Sequence, residues 1–183
     1  MPTATRHITT APLARPVTFN APTPNTAHTR VRGAEPGDEH DIAALIAAWS
    51  EQGLTLPRTA QQVVECIGEF AVAELNQHNH TRLLACGSLS IFSPSIAEIR
   101  SVAVHPDAKG KGLGKGVVER LVEEAQLLGV DRLVLLTRVP QFFRRCQFHD
   151  IDANELPSAF LQEAIAGRGR SIEGRAVMTR PLY

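Results

Sequence analysis

Lys109-Gly110-Lys111-Gly112-Leu113-Gly114 is the most informative stretch of this sequence. An apolar run, Ile99 to Val104, precedes it, and an amphipathic segment, Lys115 to Leu128, follows it. This order predicts a strand, a glycine-rich turn and a helix. Because glycine lacks a Cβ, the turn can adopt positive φ and approach a ligand closely. The first N–H groups of the helix have no intrahelical acceptor and lie at the positive end of its dipole, so the turn suits a diphosphate.

Two other phosphate-binding turns are excluded by their spacing. The Rossmann motif is Gly-x-Gly-x-x-Gly, whereas the glycines here alternate from Gly110 to Gly116. The phosphate loop of nucleotidases ends in Gly-Lys followed by Ser or Thr, whereas Gly116 is followed by Val117. Lysines at positions 109, 111 and 115 add positive charge around the turn. The alternative is a solvated basic turn before an ordinary helix, which the order of strand, turn and helix disfavours.

The turn resembles Arg/Gln-x-x-Gly-x-Gly/Ala, the motif with which the GNAT superfamily of N-acetyltransferases binds the pyrophosphate of coenzyme A. Lys109 stands where that family usually has Arg or Gln, a departure that keeps the charge. The resemblance implies acetyl-CoA as co-substrate and a splayed pair of strands, in which the pantetheine arm pairs with backbone groups of Val102 and Val104. It implies these coenzyme-binding residues: Val102, Ala103, Val104, Lys109, Gly110, Lys111, Gly112, Leu113, Gly114 and Lys115.

The composition limits the partners that we expect. The formal net charge is zero, from 19 basic and 19 acidic residues, so a general role on nucleic acid or on a membrane surface is not indicated. No apolar run approaches the roughly 20 residues of a membrane helix. The cysteines have no zinc-like spacing and His78-Asn79-His80 lacks a third ligand, so we expect no metal. An odd number of cysteines without a signal peptide favours the reducing cytoplasm.

The first 29 residues differ from the rest of the chain. They contain many prolines, threonines and alanines and no acidic residue. Such a stretch buries too little apolar surface to offset its ordering entropy, so we predict a disordered tail over residues 1–29 and one domain over residues 30–183. An organelle transit peptide has a similar acid-poor composition, but the absence of serine disfavours it.

The remaining residues alternate between strand and helix patterns. Strands are predicted at residues 30–32, 70–75, 82–92, 97–105, 131–136, 148–151 and 172–181. Helices are predicted between Pro36 and Gly53 and at residues 59–68, 115–128 and 156–165, with a helical turn at 142–146. A β-meander followed by a β-α-β unit favours one mixed, mostly antiparallel sheet of about seven strands with helices on both faces. This mixed α/β (α+β) domain is the layout that the resemblance implies.

Two further segments narrow the resemblance. The run from Glu98 to Pro106 resembles the Glu-Ile-Arg-x-x-Ala-Val-x-Pro of amino-acid N-acetyltransferases of the N-acetylglutamate synthase type. Leu135 to Arg138, and Phe142 to Arg144, are similar to that group's Leu-Thr-x-Arg and aromatic-Phe-Arg patterns. The resemblance covers residues 83–148 and implies a short form without an amino-acid-kinase domain. It implies acetyl transfer to the α-amino group of an amino acid such as L-glutamate, the first step of arginine biosynthesis.

The candidate general base is Glu98, which would act directly or through water. Glu98 and Arg100 are two residues apart and therefore share one face of an extended strand, although a simple Glu–Arg pair is the alternative. Many members of the superfamily use as acid the tyrosine of a Tyr-x-x-x-Gly-Phe segment. Here Phe143 stands at the tyrosine's position and Gln147 at the glycine's, so the usual acid is missing. Cys146 could donate a proton, but a buried structural role is favoured.

Arg100 and Arg138 are the candidate substrate-binding residues. Arginine binds a carboxylate through two parallel hydrogen bonds, and glutamate carries two carboxylates. The alternative is that these arginines neutralise coenzyme phosphates or surface acids. Acetylation of another amine (a protein amino terminus, a polyamine or an antibiotic) stays open, as do a non-catalytic acetyl-CoA sensor and a homodimer.

Overall fold

The computed structural model describes residues 27–77, 80–165 and 171–182. Most of the predicted tail therefore lies outside the described residues, as do His78, Asn79, the Gly167-Arg168-Gly169-Arg170 segment and Tyr183. The first strand begins at His28, two residues before the predicted domain boundary at Arg30.

The described residues form seven strands and five helices, close to the predicted order. The strands are β1 (His28–Gly33), β2 (Phe70–Gln77), β3 (His80–Ser93), β4 (Ile96–Val104), β5 (Arg132–Thr137), β6 (His149–Asp150) and β7 (Ala176–Pro181). The helices are α1 (Glu39–Ser50), α2 (Ala60–Val64), α3 (Leu113–Leu127), α4 (Pro140–Arg144) and α5 (Ser158–Ala164). The predicted helical turn after β5 is thus the short helix α4.

The second predicted helix is shorter than the sequence pattern indicates. It begins with a capping box, in which the Thr59 hydroxyl accepts from the Gln62 N–H and the Gln62 side chain accepts from the Thr59 N–H. It ends at Val64, because Cys66 has φ −136° and ψ 32°, outside the α-helical region. A separate 3-10 turn, Ile67–Glu69, then leads into β2.

The seven strands form one mixed sheet in the order β1-β2-β3-β4-β5-β7-β6, which confirms the predicted fold class. Every neighbouring pair is antiparallel except β4 and β5, which are parallel. These two strands pair over three residues only, Ile96 to Glu98 against Arg132 to Val134. Beyond Glu98 no described residue pairs with β4 on this side, and the unpaired stretch between the ends of β4 and β5 is called the gap.

Helices cover both faces of the sheet, as predicted. Alternate residues of β2 enter different clusters: Ala71 and Ala73 pack with α3, whereas Phe70 and Val72 pack with α1 and α2. The α3 face also holds α4, and the opposite face also holds α5. The buried residues of α3 form the apolar stripe expected from the sequence: Leu113, Gly114, Val117, Val118, Leu121, Val122 and Ala125.

A bulge in β4 changes which residues face which helix. Ala103 pairs with Cys86 and Arg100 pairs with Ser88, so Ser101 and Val102 together oppose the single residue Gly87. Ser101 adopts the left-handed φ of 55°. A Cβ at position 87 would lie 3.2 Å from the Val102 side chain and 3.1 Å from that of Val117, so glycine lets the bulge approach α3 closely.

A second left-handed residue follows α4. Gln147 has φ 65°, at the position where the sequence resemblance expects glycine. Its side chain is exposed and therefore contributes little packing energy that would offset the backbone strain.

We predict that Gln147→Gly raises the free energy of unfolding by about 0.5–1 kcal/mol. The left-handed conformation costs an L-residue ~1–2 kcal/mol, and the larger backbone entropy that glycine loses on folding offsets part of the relief. Thermal or urea unfolding measures the change. Gln126→Gly is the matched control, since Gln126 is exposed within α3 and its replacement should cost about 1 kcal/mol. A loss of stability for both variants would contradict strain at Gln147.

Candidate active site

The glycine-rich turn forms an exposed loop at the start of α3. A 3-10 turn, Pro106–Ala108, leaves β4, and Gly110 and Gly112 then adopt left-handed φ angles of 81° and 79°. Gly112 is the N-cap of α3, and it has no side chain to cap the helix. No described side chain takes over that role, so the first N–H groups of α3 are available to a ligand beside the exposed Lys111 and Lys115.

Close packing fixes this loop at the end of β4. A Cβ at Gly114 would lie 2.7 Å from Cγ2 of Val104 and 3.3 Å from the Phe142 ring, so the start of α3 contacts both β4 and α4 directly. Gly112 is different, because nothing lies within 4 Å of its Cβ position. Glycine is needed at 114 for space and at 112 for conformation.

The edge of β4 that faces the gap carries backbone groups without a strand partner. The His105 N–H donates to the Leu84 carbonyl on β3, at 2.7 Å. Since successive residues of a strand point their backbone groups to opposite sides, the Val104 carbonyl points away from β3 and into the gap. It accepts a 2.8 Å hydrogen bond from the Trp49 indole at the end of α1.

A cavity of about 340 Å³ lies on the sheet face that α1 and α2 cover. Two arginines face it: Arg58, before α2, and Arg100, in β4. The other lining residues are Leu56, Pro57, Gln62, Glu65, Cys66 and Ser101. Sequence analysis identified Arg100 but missed Arg58, because no local pattern relates the connector before α2 to a distant strand.

The two arginines are held by different partners. Arg100 donates to the Glu69 carboxylate at 2.9 Å, and its side chain is only 11% exposed. Its Nε is buried and makes no hydrogen bond within the described part of the chain, so it retains a donor. Arg58 donates to the Ser101 hydroxyl at 3.1 Å, and its guanidinium carbon lies 5.8 Å from the centre of the Phe70 ring.

The remaining predicted residues lie apart from this cavity. Glu98 shares the sheet face of Arg100 and is the last residue of β4 to pair with β5, but it is only 2% exposed and lies beside Phe160 and Glu163 of α5. Arg138 follows β5 as an exposed residue and does not line the cavity.

The segment that replaces the family's tyrosine is part of the core. Phe143 is 6% exposed and makes edge-to-face contacts with Phe142 and Phe148. Cys146 is buried as expected, and burial raises the pKa of its thiol. A buried thiol with a raised pKa is an inert structural residue.

The described residues contain no group of three potential metal ligands. Within the same residues, no helix has the length and apolar character needed to cross a membrane.

Comparisons with known proteins agree with this geometry. The family described as the acetyltransferase (GNAT) family matches residues 38–150. An amino-acid acetyltransferase of Mycobacterium tuberculosis is 30% identical over 133 residues, which cover 73% of this chain and 75% of the relative. An amino-acid acetyltransferase of Neisseria meningitidis is 32% identical over 133 residues, but these cover only 30% of that longer relative and 72% of this chain.

Solved structures show the same relationship. N-acetylglutamate synthase from Neisseria gonorrhoeae, complexed with coenzyme A and N-acetyl-glutamate, has a TM-score of 0.73 and 28% identity over 85% of this chain and 35% of that one. A Mycobacterium tuberculosis protein in complex with CoA also has a TM-score of 0.73, with 26% identity over 84% of this chain and 99% of that one. From the match over more than half of its length, this chain belongs to the GNAT family and is an acetyl-CoA-dependent N-acetyltransferase.

Proposed function

We propose that the chain transfers the acetyl group of acetyl-CoA to the α-amino group of an amino acid that carries a second carboxylate. L-glutamate is the first candidate, and its acetylation would be the first step of arginine biosynthesis. The observation that carries this proposal is the cavity with Arg58 and Arg100 on its wall, beside the strand that diverges at the gap.

The coenzyme would span the gap from the glycine-rich loop. Its diphosphate would accept from the first N–H groups of α3, next to Lys109, Gly110, Lys111 and Lys115. Its extended arm carries amide groups, and the open edge of β4 at Val102 and Val104 offers the complementary donors and acceptors, as in the addition of a strand to a sheet. Ala103 lies between them, paired with Cys86 of β3. The bound acetyl-CoA supplies the thioester that reacts with the amine.

The amino acid would occupy the cavity beneath α2, on the sheet face opposite α3. Arg58 and Arg100 supply two guanidinium groups for its carboxylates, and the buried Nε of Arg100 retains an unused donor. Because the side chain of Arg100 is mostly buried, a carboxylate bound there is shielded from water and the attraction is stronger than at the surface. A second role for Arg138 in binding the substrate stays a prediction.

Glu98 remains the proposed general base. It lies on the same sheet face as the cavity and at the point where β4 and β5 part, so a water molecule is the natural relay between its buried carboxylate and the amine. With phenylalanine in place of the tyrosine acid, the thiolate of the coenzyme would leave without a side-chain acid. A thiol with an ordinary pKa near 8.5 is a tolerable leaving group for this purpose.

We predict that Gly112→Val raises the KM for acetyl-CoA at least tenfold, because a side chain would project into the diphosphate position. The left-handed φ also makes this variant less stable, so a matched control is needed. Gly129→Val provides it: Gly129 has φ 72°, has nothing within 4 Å of its Cβ position, and lies beyond the far end of α3. Steady-state kinetics and melting temperatures separate the two effects.

The placement of the coenzyme is contradicted if both glycine variants lose stability equally and neither changes the KM for acetyl-CoA.

Assays with acetyl-CoA and a panel of amines test the acceptor. We expect turnover with L-glutamate, or with an amino acid of similar polarity. In Arg58→Lys and Arg100→Lys, we expect the KM for the amino acid to rise about 10- to 100-fold, since lysine keeps the charge but loses the planar guanidinium. Arg120→Lys is the control, because Arg120 is on α3 and pairs with Glu124 on the opposite sheet face.

Turnover of polyamines or peptides, with none for any amino acid, would overturn the choice of acceptor. Coenzyme binding without turnover of any amine would indicate a sensor instead of an enzyme.

A further inference from the structure

Trp49, the only tryptophan of the chain, makes a contact that the proposed reaction does not explain. It lies near the end of α1, partly buried against the cluster that contains Ala103 of β4. Its indole Nε1 donates to the Val104 carbonyl at 2.8 Å. The indole N–H is a donor only, and a buried tryptophan generally finds one acceptor for it.

The Val104 carbonyl, which accepts from the indole, lies on the open edge of β4. Most other residues of the sheet interior satisfy their backbone groups with a neighbouring strand, but no strand of the described part of the chain pairs with this edge beyond Glu98. The Val104 carbonyl therefore accepts no hydrogen bond from a neighbouring strand, and the Trp49 side chain of α1 donates to it instead.

We infer that Trp49 is a positioning residue: without coenzyme, its indole N–H donates to the Val104 carbonyl, which accepts from the coenzyme arm in the complex. An amide N–H of the coenzyme arm, laid along β4, approaches the same carbonyl from the same side of the strand. A carbonyl oxygen has two lone pairs, but both donors approach the one that faces the gap, so the indole N–H and the coenzyme amide compete for it and binding of the coenzyme displaces the indole. This inference rests on the proposed position of the arm along Val102 to Val104.

Displacement of the indole also affects the cavity that is proposed to bind the amino acid. The Leu54 N–H donates to the Trp49 carbonyl at 3.1 Å, and the connector that follows carries Leu56, Pro57 and Arg58 into the cavity wall. Release of the indole removes a hydrogen bond between the end of α1 and β4, and the connector that holds Arg58 starts from that end of α1. Binding of the coenzyme and the position of one substrate-binding arginine are thereby linked through a single side chain.

The test is Trp49→Phe, which keeps an aromatic ring in the cluster and removes the N–H. Wild-type protein must break the indole hydrogen bond to bind the coenzyme, whereas the variant only displaces water. We expect the Kd for coenzyme A, measured by calorimetry, to fall roughly two- to tenfold, the range that one net hydrogen bond spans. Trp49→Leu also lacks the N–H and should change the Kd in the same direction.

Wild-type protein supplies a second measurement. Because Trp49 is the sole tryptophan, its fluorescence should change on addition of coenzyme A and give the same Kd as calorimetry. A purely structural role predicts the opposite sign for both variants, namely weaker binding that accompanies a lower melting temperature.

The outcomes separate this inference from the function on which it rests. If coenzyme A binds wild-type protein and Gly112→Val weakens that binding, but Trp49→Phe binds no more tightly than wild type, the role of Trp49 is wrong and the coenzyme site stands. Failure of coenzyme A to bind, or binding that Gly112→Val leaves unchanged, overturns the coenzyme site and the role of Trp49 together.

Discussion

β4 and β5 stop pairing after three residues, and this early end of the parallel pair gives the sheet its open internal edge. Continuous pairing would close the sheet and leave every backbone group satisfied, with no room for a ligand. The divergence exposes a strand edge inside the domain, where helices on both faces protect it from other chains. The edge of β4 beyond Glu98 is therefore open, and under the proposed function the arm of acetyl-CoA pairs with it.

The bulge at Ser101 and Val102 determines which face of the sheet the side chains of β4 reach. Before the bulge, Arg100 faces the cavity beneath α2; after it, the side chains of Val102 and Val104 turn toward α3 and the glycine-rich loop. Without the extra residue, strict alternation would direct the end of β4 to the wrong helix. Gly87, on the neighbouring strand, makes the bulge possible by leaving room for it.

Local patterns predicted much of this architecture. Alternating or continuous apolar runs identified the strands, and the stripe along α3 identified its buried face. The glycine-rich turn predicted the positive φ angles that Gly110 and Gly112 adopt, and a helix after it, although α3 begins at Leu113 and not at the predicted Lys115. The limits appeared where distant segments meet. The bulge depends on pairing with β3, and Arg58 lines the cavity only because α2 packs beside β4. None of these relations is visible in a window of consecutive residues.

The position of β7 in the sheet has a consequence for how the protein is made. β7 is the last of the seven strands along the chain, yet it lies between β5 and β6. A nascent chain on the ribosome therefore carries the glycine-rich loop and most of the sheet while the outer edge of β5 is still bare. Such an unpaired edge can pair with a strand of another chain, so the risk of misassembly is greatest in the interval between the synthesis of β5 and that of β7.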